Sequence, residues 1–150
     1  ALLETASAVL TRDCPWPMVR RLWLARIARM AGRFLETEVE RQDIAMPTLY
    51  EEWGEAPVPG TDVTVFGKAD RIDIAPDGSL VIYDYKSGPL PTPKQQDRFD
   101  KQLLIEAAIA TAGGFGALGP VTVTGAHYIS LKDEVKTAAA PLASQPPALI

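Results

Sequence analysis

Cysteine and histidine are nearly absent from the sequence: Cys14 and His127 each stand alone among 150 residues. A disulfide within the chain is therefore impossible, and so is a complete cysteine metal site. A single free thiol fits a reducing compartment, and the expected location is cytoplasmic. No apolar run approaches the roughly 20 residues that a helix needs to cross a bilayer, and no secretory signal is visible, so no membrane partner is expected. A net basic charge is missing too. Fifteen Lys and Arg against nineteen Asp and Glu give a formal charge of -4, so bulk charge does not announce a nucleic-acid binder. The first residues, Ala1-Leu2-Leu3-Glu4, lack an initiator methionine, and we read the chain as part of a longer protein.

What is present is ordinary for one globular domain: 47% hydrophobic and 23% charged residues, in a chain long enough to bury a core. Arg12, Arg20, Arg21, Arg26, Arg29, Arg33 and Arg41 crowd the first third, a pattern that on its own reads as a solvated helix face. Pro15-Trp16-Pro17 marks a helix start. Val19, Leu22, Trp23, Ile27, Met30, Phe34 and Leu35 then recur at helical spacing and predict an amphipathic helix to about Gln42. Residues 44–53 read as a short strand followed by a turn at Pro57-Val58-Pro59-Gly60. Residues 62–74 and 79–86 are rich in β-branched and aromatic side chains and flank Ala75-Pro76-Asp77-Gly78, the turn of an antiparallel hairpin. A proline-rich loop covers residues 87–93, a second helix is predicted over Asp97–Thr111 and ended by Gly113-Gly114, and residues 121–131 alternate as a last strand. The Ala- and Pro-rich residues 132–150 read as a tail that packs weakly, which leaves residues 1–131 as the domain. The order of elements implies a single α/β or α+β domain, a central mixed sheet with helices on both sides.

The chemistry sits in the hairpin. Side chains alternate faces along a strand. By that parity Asp70 shares a face with Phe66, Ile72 and Ile74, and Asp84 and Lys86 share one with Leu80 and Ile82. Two carboxylates and an ammonium thus stand where the core pattern calls for more Val or Ile. Burying unpaired charge is costly. One reading is an Asp–Lys salt bridge where the hairpin surfaces. The other is a divalent cation: two carboxylates suit Mg²⁺, which keeps waters for a substrate phosphate. A lysine beside it stabilises the attacking hydroxide and the charge growing on phosphorus oxygens. The second aspartate on the partner strand, and Gly67, which permits close approach of another chain, favour the metal.

Gly67-Lys68-Ala69-Asp70-Arg71-Ile72-Asp73, then Tyr83-Asp84-Tyr85-Lys86-Ser87-Gly88, then Gln102-Leu103 in a helix, resemble in order and spacing the RecB/AddB branch of the PD-(D/E)XK nucleases. The stretch Gln102–Ala108 followed by Gly113-Gly114-Phe115 is most similar to the proteobacterial AddB type. The resemblance covers roughly residues 45–131. It implies the restriction-endonuclease-like fold and hydrolysis of DNA phosphodiester bonds with Mg²⁺, or alternatively Mn²⁺. It also implies an exonuclease role in a helicase–nuclease that processes double-strand breaks for recombination with an AddA-type helicase subunit. Residue by residue, it makes Asp70 and Asp84 metal ligands, gives the backbone carbonyl of Tyr85 to the same ion, makes Lys86 the catalytic lysine and places Gln102 beside it. DNA is the implied partner, and Lys94, Arg98 and Lys101 are the basic residues expected to touch phosphates.

The chain departs from the pattern in three places. RecB-like nucleases place a metal-binding histidine on an earlier helix. That helix would lie upstream of Ala1, unless Glu36 or Glu40 takes its place. Some relatives hold an iron–sulfur cluster on four cysteines, which Cys14 alone cannot do, so none is expected here. Glu106 stands where many relatives have tyrosine. Of the remaining residues, Arg71 and Asp73 are expected to pair with charges outside the site, His127 to be structural and Cys14 inert. Trp16, Trp23 and Trp53 are expected to pack.

Overall fold

The computed structural model describes residues 1–132 and 134–147. Helices α1 (Leu2–Asp13) and α2 (Pro17–Gln42) precede strands β1 (Met46–Pro57), β2 (Thr64–Ile74) and β3 (Leu80–Lys86). Helices α3 (Pro93–Arg98) and α4 (Gln102–Thr111) follow, then β4 (Val123–Ser130) and β5 (Thr137–Ala139). The strands form one five-stranded sheet in chain order, β1-β2-β3-β4-β5. Every pairing is antiparallel except β3 with β4, which are parallel. A parallel pair requires a crossover, and α3 and α4 supply it. The expected mixed sheet flanked by helices is what forms. No helix among the described residues is long and apolar enough to cross a membrane.

Local sequence explains most of the element boundaries. Pro17 opens α2 in the first turn, where its missing N–H is no loss. Between β2 and β3, Gly78 takes φ 84°, its N–H bonds the Ala75 carbonyl at 2.9 Å, and Asp77 Oδ1 accepts from Ser79 N at 2.9 Å. Gly113 at φ 82° and Gly114 end α4: their N–H groups bond the carbonyls of Ala110 (3.0 Å) and Ile109 (2.8 Å), the paired bonds of a Schellman motif.

Helix α4 lies on one face of the sheet. Its Leu103, Ala107, Ile109 and Ala110 form the core with Ile72, Leu80, Ile82, Phe115, Ala126 and Tyr128. The approach is close because glycines face it. A Cβ on Gly54 would sit 2.5 Å from the Phe115 ring and 2.8 Å from Ile109. The C-terminal half of α2 covers the other face near Tyr83 and Tyr85, and α1 packs on α2.

The structure corrects four expectations. The predicted helix 97–111 is two helices, broken at Phe99-Asp100, because Asp100 is bound by the Tyr128 hydroxyl on β4 while α3 closes on itself through Phe99 N to the Gln95 carbonyl (2.8 Å). The supposed weakly packed tail contributes β5, and Ala138, Ala140 and Leu142 pack against the core, so the domain does not stop at residue 131. Strict alternation also fails in β2. Gly67 and Ala69 face α4 and so does Ile72, so the pattern slips by one at Asp70-Arg71, and Phe66 is left exposed. The slip lies opposite Glu51, whose φ of 53° is rare for a residue with a side chain. Of the tryptophans expected to pack, only Trp23 is half-buried, with Arg26 5.1 Å over its ring; Trp16 and Trp53 are exposed.

Candidate active site

Helix α4 and the C-terminal end of β3 bring Asp84, Lys86 and Gln102 together. Asp84 and Lys86 are two apart on β3 and share the α4 face, as alternation requires. Lys86 Nζ donates to Gln102 Oε1 at 2.8 Å, lies 2.9 Å from Asp84 Oδ2 and stands 5.4 Å from the Tyr128 ring centre. Gln102 Nε2 donates to Asp84 Oδ1 at 2.5 Å and to Glu106 Oε1 at 3.0 Å. The Asp84 Oδ2–Lys86 contact is an ion pair out of hydrogen-bond line, and this buried oxygen has no hydrogen-bond partner among the described residues.

Asp70 joins the cluster across the end of the β2–β3 ladder. Backbone pairing stops at Arg71 and Tyr83. Beyond it, Asp70 Oδ2 accepts the Tyr85 N–H at 2.8 Å, so a carboxylate replaces the missing strand neighbour. The N–H and C=O of one strand residue point to the same side, which directs the Tyr85 carbonyl toward Asp70. Asp70 also lies near enough to Asp84 to act on its carboxyl, at the point where the β2–β3 ladder ends. A pair of carboxylates suits a divalent cation that retains waters; Asp84 Oδ2 is held here by the Lys86 ammonium. No group of three or more His, Cys, Asp and Glu residues is arranged to hold a metal among the described residues. Glu36 pairs instead with Arg33 at 3.1 Å, and Glu40 lines a shallow cavity with Arg41, Tyr83 and His127, so neither joins Asp70 and Asp84.

Burial raises the Asp84 pKa, against the lowering effect of Lys86, and Asp70 raises it further. Glu106 is pushed up to about 7, chiefly by burial and only partly relieved by Gln102, with Asp84 and Asp70 adding to the shift. In the sequence Glu106 stands out only as a departure from tyrosine. The signal that marks it is its four-residue spacing from Gln102, which puts both on one helix face.

The opposite face of β2 and β3 carries a separate ionic network. Arg71 Nε bonds Asp73 at 2.6 Å, and its Nη1 reaches both oxygens of Glu38 at 2.8 Å and the Tyr85 hydroxyl at 3.1 Å. Asp73 is fully buried. Burial tends to raise the Glu38 pKa, but hydrogen bonds from Arg71, Gln42 and Arg41 hold it below the ordinary value. This network clamps α2 to the sheet, and Arg71 and Asp73 pair outside the Asp84 cluster. His127 stacks on Tyr83 at 5.7 Å on that face, and burial lowers its pKa.

The three lysine and arginine residues assigned to phosphate contact differ. Lys94 and Arg98 are exposed on α3. Lys101 bonds the Asp97 carbonyl at 2.8 Å and the Gln145 side chain, so it is occupied within the chain. Lys86 lines a cleft of about 460 Å³ with Pro89, Leu90, Gln95 and Phe99, the last 82% exposed; Lys94, Arg98 and Lys101 are not among its lining residues.

Comparison with known proteins identifies the superfamily. A family profile described as the PD-(D/E)XK nuclease superfamily matches residues 1–148. An uncharacterised protein of Rickettsia conorii is 27% identical over 118 residues, 77% of this chain and 14% of the relative. An uncharacterised protein of Rickettsia felis is 27% identical over 116 residues, 75% of this chain and 14% of the relative. The chain therefore spans about one-seventh of the length of these relatives. With a profile match along nearly its whole length, and a mixed sheet that gathers Asp70, Asp84 and Lys86 at one end, the chain belongs to the PD-(D/E)XK nuclease superfamily.

Proposed function

We propose that the chain is the catalytic domain of a divalent-metal-dependent deoxyribonuclease of the RecB/AddB type. In this reading it acts as an exonuclease within a helicase–nuclease that processes double-strand breaks, alongside an AddA-type helicase subunit. The observation that carries the reading is the convergence of Asp84, Lys86 and Gln102 with Asp70 across the ladder's end. Asp70, Asp84 and the Tyr85 carbonyl would hold Mg²⁺ or Mn²⁺. The ion, when bound, supplies an acidified water and a Lewis acid for a phosphate oxygen.

The chain's own groups do the rest. In the hydrolysis a water oxygen would bond to phosphorus as one ester P–O bond breaks, the water giving up a proton to solvent and the leaving oxygen taking one from it, to yield a phosphomonoester end and a hydroxyl end. Lys86 presents its ammonium where negative charge grows on the non-bridging oxygens. Gln102 fixes that ammonium by accepting a hydrogen bond from it. Lys94 and Arg98 on α3 would contact phosphates flanking the scissile one.

A second reading has one observation in its favour: among the described residues no third His, Cys, Asp or Glu completes a metal cluster. It makes this chain a nuclease-like module with a DNA-binding or scaffolding role. The test is cleavage of linear DNA by the full chain with Mg²⁺, compared with Asp84→Ala and Lys86→Ala. The nuclease reading expects cleavage at least a hundredfold slower in both, on the order of the loss for a transition-state group, with unfolding transitions retained. Undiminished cleavage by either variant refutes it, and no Mg²⁺ binding by the unsubstituted protein selects the second reading.

A further inference from the structure

Glu106 has no part in the reaction just described, yet it is a carboxyl only 2% exposed, in a helix whose other buried residues are Leu103, Ala107, Ala108, Ile109 and Ala110. Its Oε1 accepts from Gln102 Nε2 at 3.0 Å, and its Oε2 has no partner among the described residues. A half-satisfied buried carboxyl is a costly feature. The strand opposite makes room for it: a Cβ on Gly67 would lie 3.3 Å from Glu106 Cγ and 3.1 Å from Ile109 Cδ1, tighter than ordinary contact.

The Gln102 amide shows what the carboxyl does. It has two N–H groups and one oxygen. One N–H goes to Asp84 and the other to Glu106, while the oxygen accepts from Lys86. With Asp84 as the single anchor, the amide could turn, keep that bond through its other N–H, and carry its oxygen away from Lys86. Two anchors fix its plane. We propose that Glu106 is a positioning residue: by taking the second N–H of Gln102 it turns the amide oxygen onto Lys86 and so holds the ammonium in place. The catalytic consequence rests on the nuclease reading; the positioning itself does not.

The test reads Lys86 directly, in the full chain without metal, by competitive acylation of lysine amines followed by mass spectrometry. Glu106→Leu fills the space without an acceptor, Glu106→Gln keeps one, and Gln102→Ala removes the relay. Losing one hydrogen bond should raise Lys86 labelling about two- to tenfold in Glu106→Leu and Gln102→Ala, while Glu106→Gln stays at the unsubstituted level. With Mg²⁺ and DNA, Glu106→Leu should lower kcat about tenfold or more with KM unchanged. A merely structural role would not give this split, because the leucine variant should resist urea at least as well as the unsubstituted protein at pH 8. Unchanged Lys86 labelling in a folded Glu106→Leu variant overturns the proposal. If that variant does not fold, the glutamine variant decides: labelling as high as in Gln102→Ala overturns the proposal, and unsubstituted behaviour supports it. Absence of Mg²⁺-dependent cleavage in the unsubstituted protein would remove the nuclease reading and leave the labelling to judge Glu106.

Discussion

Replacing Glu106 by glutamine should change how stability responds to pH. Burial in the α4 core raises the Glu106 pKa from 4.5 to about 7. The folded protein therefore binds the Glu106 proton more tightly than the unfolded chain does. The stabilisation this gives is fully present below pH 4.5, declines as pH rises, and is gone above about pH 7. Each unit of difference corresponds to about 1.4 kcal/mol, so the loss between pH 4.5 and 8 is on the order of 3 kcal/mol. Glutamine cannot ionise. Whatever fixed offset its amide introduces is the same at both pH values and cancels in the comparison. Urea unfolding of both proteins without divalent metal should show the Glu106→Gln variant gaining about 3 kcal/mol on the unsubstituted protein from pH 4.5 to pH 8. With a slope of about 1–3 kcal/mol per molar urea, the relative midpoint moves by about 1–3 M. A stability difference independent of pH, or one that shrinks as pH rises, would refute the claim that the folded site holds this carboxyl's proton.

Two further outcomes follow from the clamp and the core. Glu38→Ala should destabilise the protein by about 3 kcal/mol in thermal or urea unfolding, because it leaves buried Arg71 with Asp73 as its remaining carboxylate partner. Because the folded pKa of Glu38 is depressed, its contribution is present above the unfolded value of 4.5 and lost as pH falls through the folded one; the penalty of Glu38→Ala should shrink in acid. Gly54→Ala should cost about 1–3 kcal/mol or more by driving a methyl group into the Phe115 ring and Ile109, measurable as a lowered midpoint with an unchanged slope.

Much of the fold was legible because it rests on short-range rules. Pro17 starts α2, Asp77-Gly78 turns the hairpin, and Gly113-Gly114 closes α4, each through bonds within a few residues. The parity of β3 was equally local, and it placed Asp84 and Lys86 on one face correctly. The short β5 was hidden because three residues rich in alanine carry little strand preference of their own; pairing with β4 supplies it. The break at Asp100 depends on Tyr128, 28 residues away, and helical periodicity could not foresee it.

The sequence by itself determined the ingredients of the candidate site, Asp70, Asp84, Lys86 and Gln102 in their order, and alternation, which is local, set the shared face of Asp84 and Lys86. It did not determine how they meet. Backbone pairing of β2 with β3 stops at Arg71 and Tyr83, and beyond it the Asp70 carboxylate accepts the Tyr85 N–H. Glu106 became part of the cluster only when α4 settled on Gly67, where a side chain would have kept the two apart. Those distances belong to packing between elements far apart in the chain, which no pattern within a single element encodes.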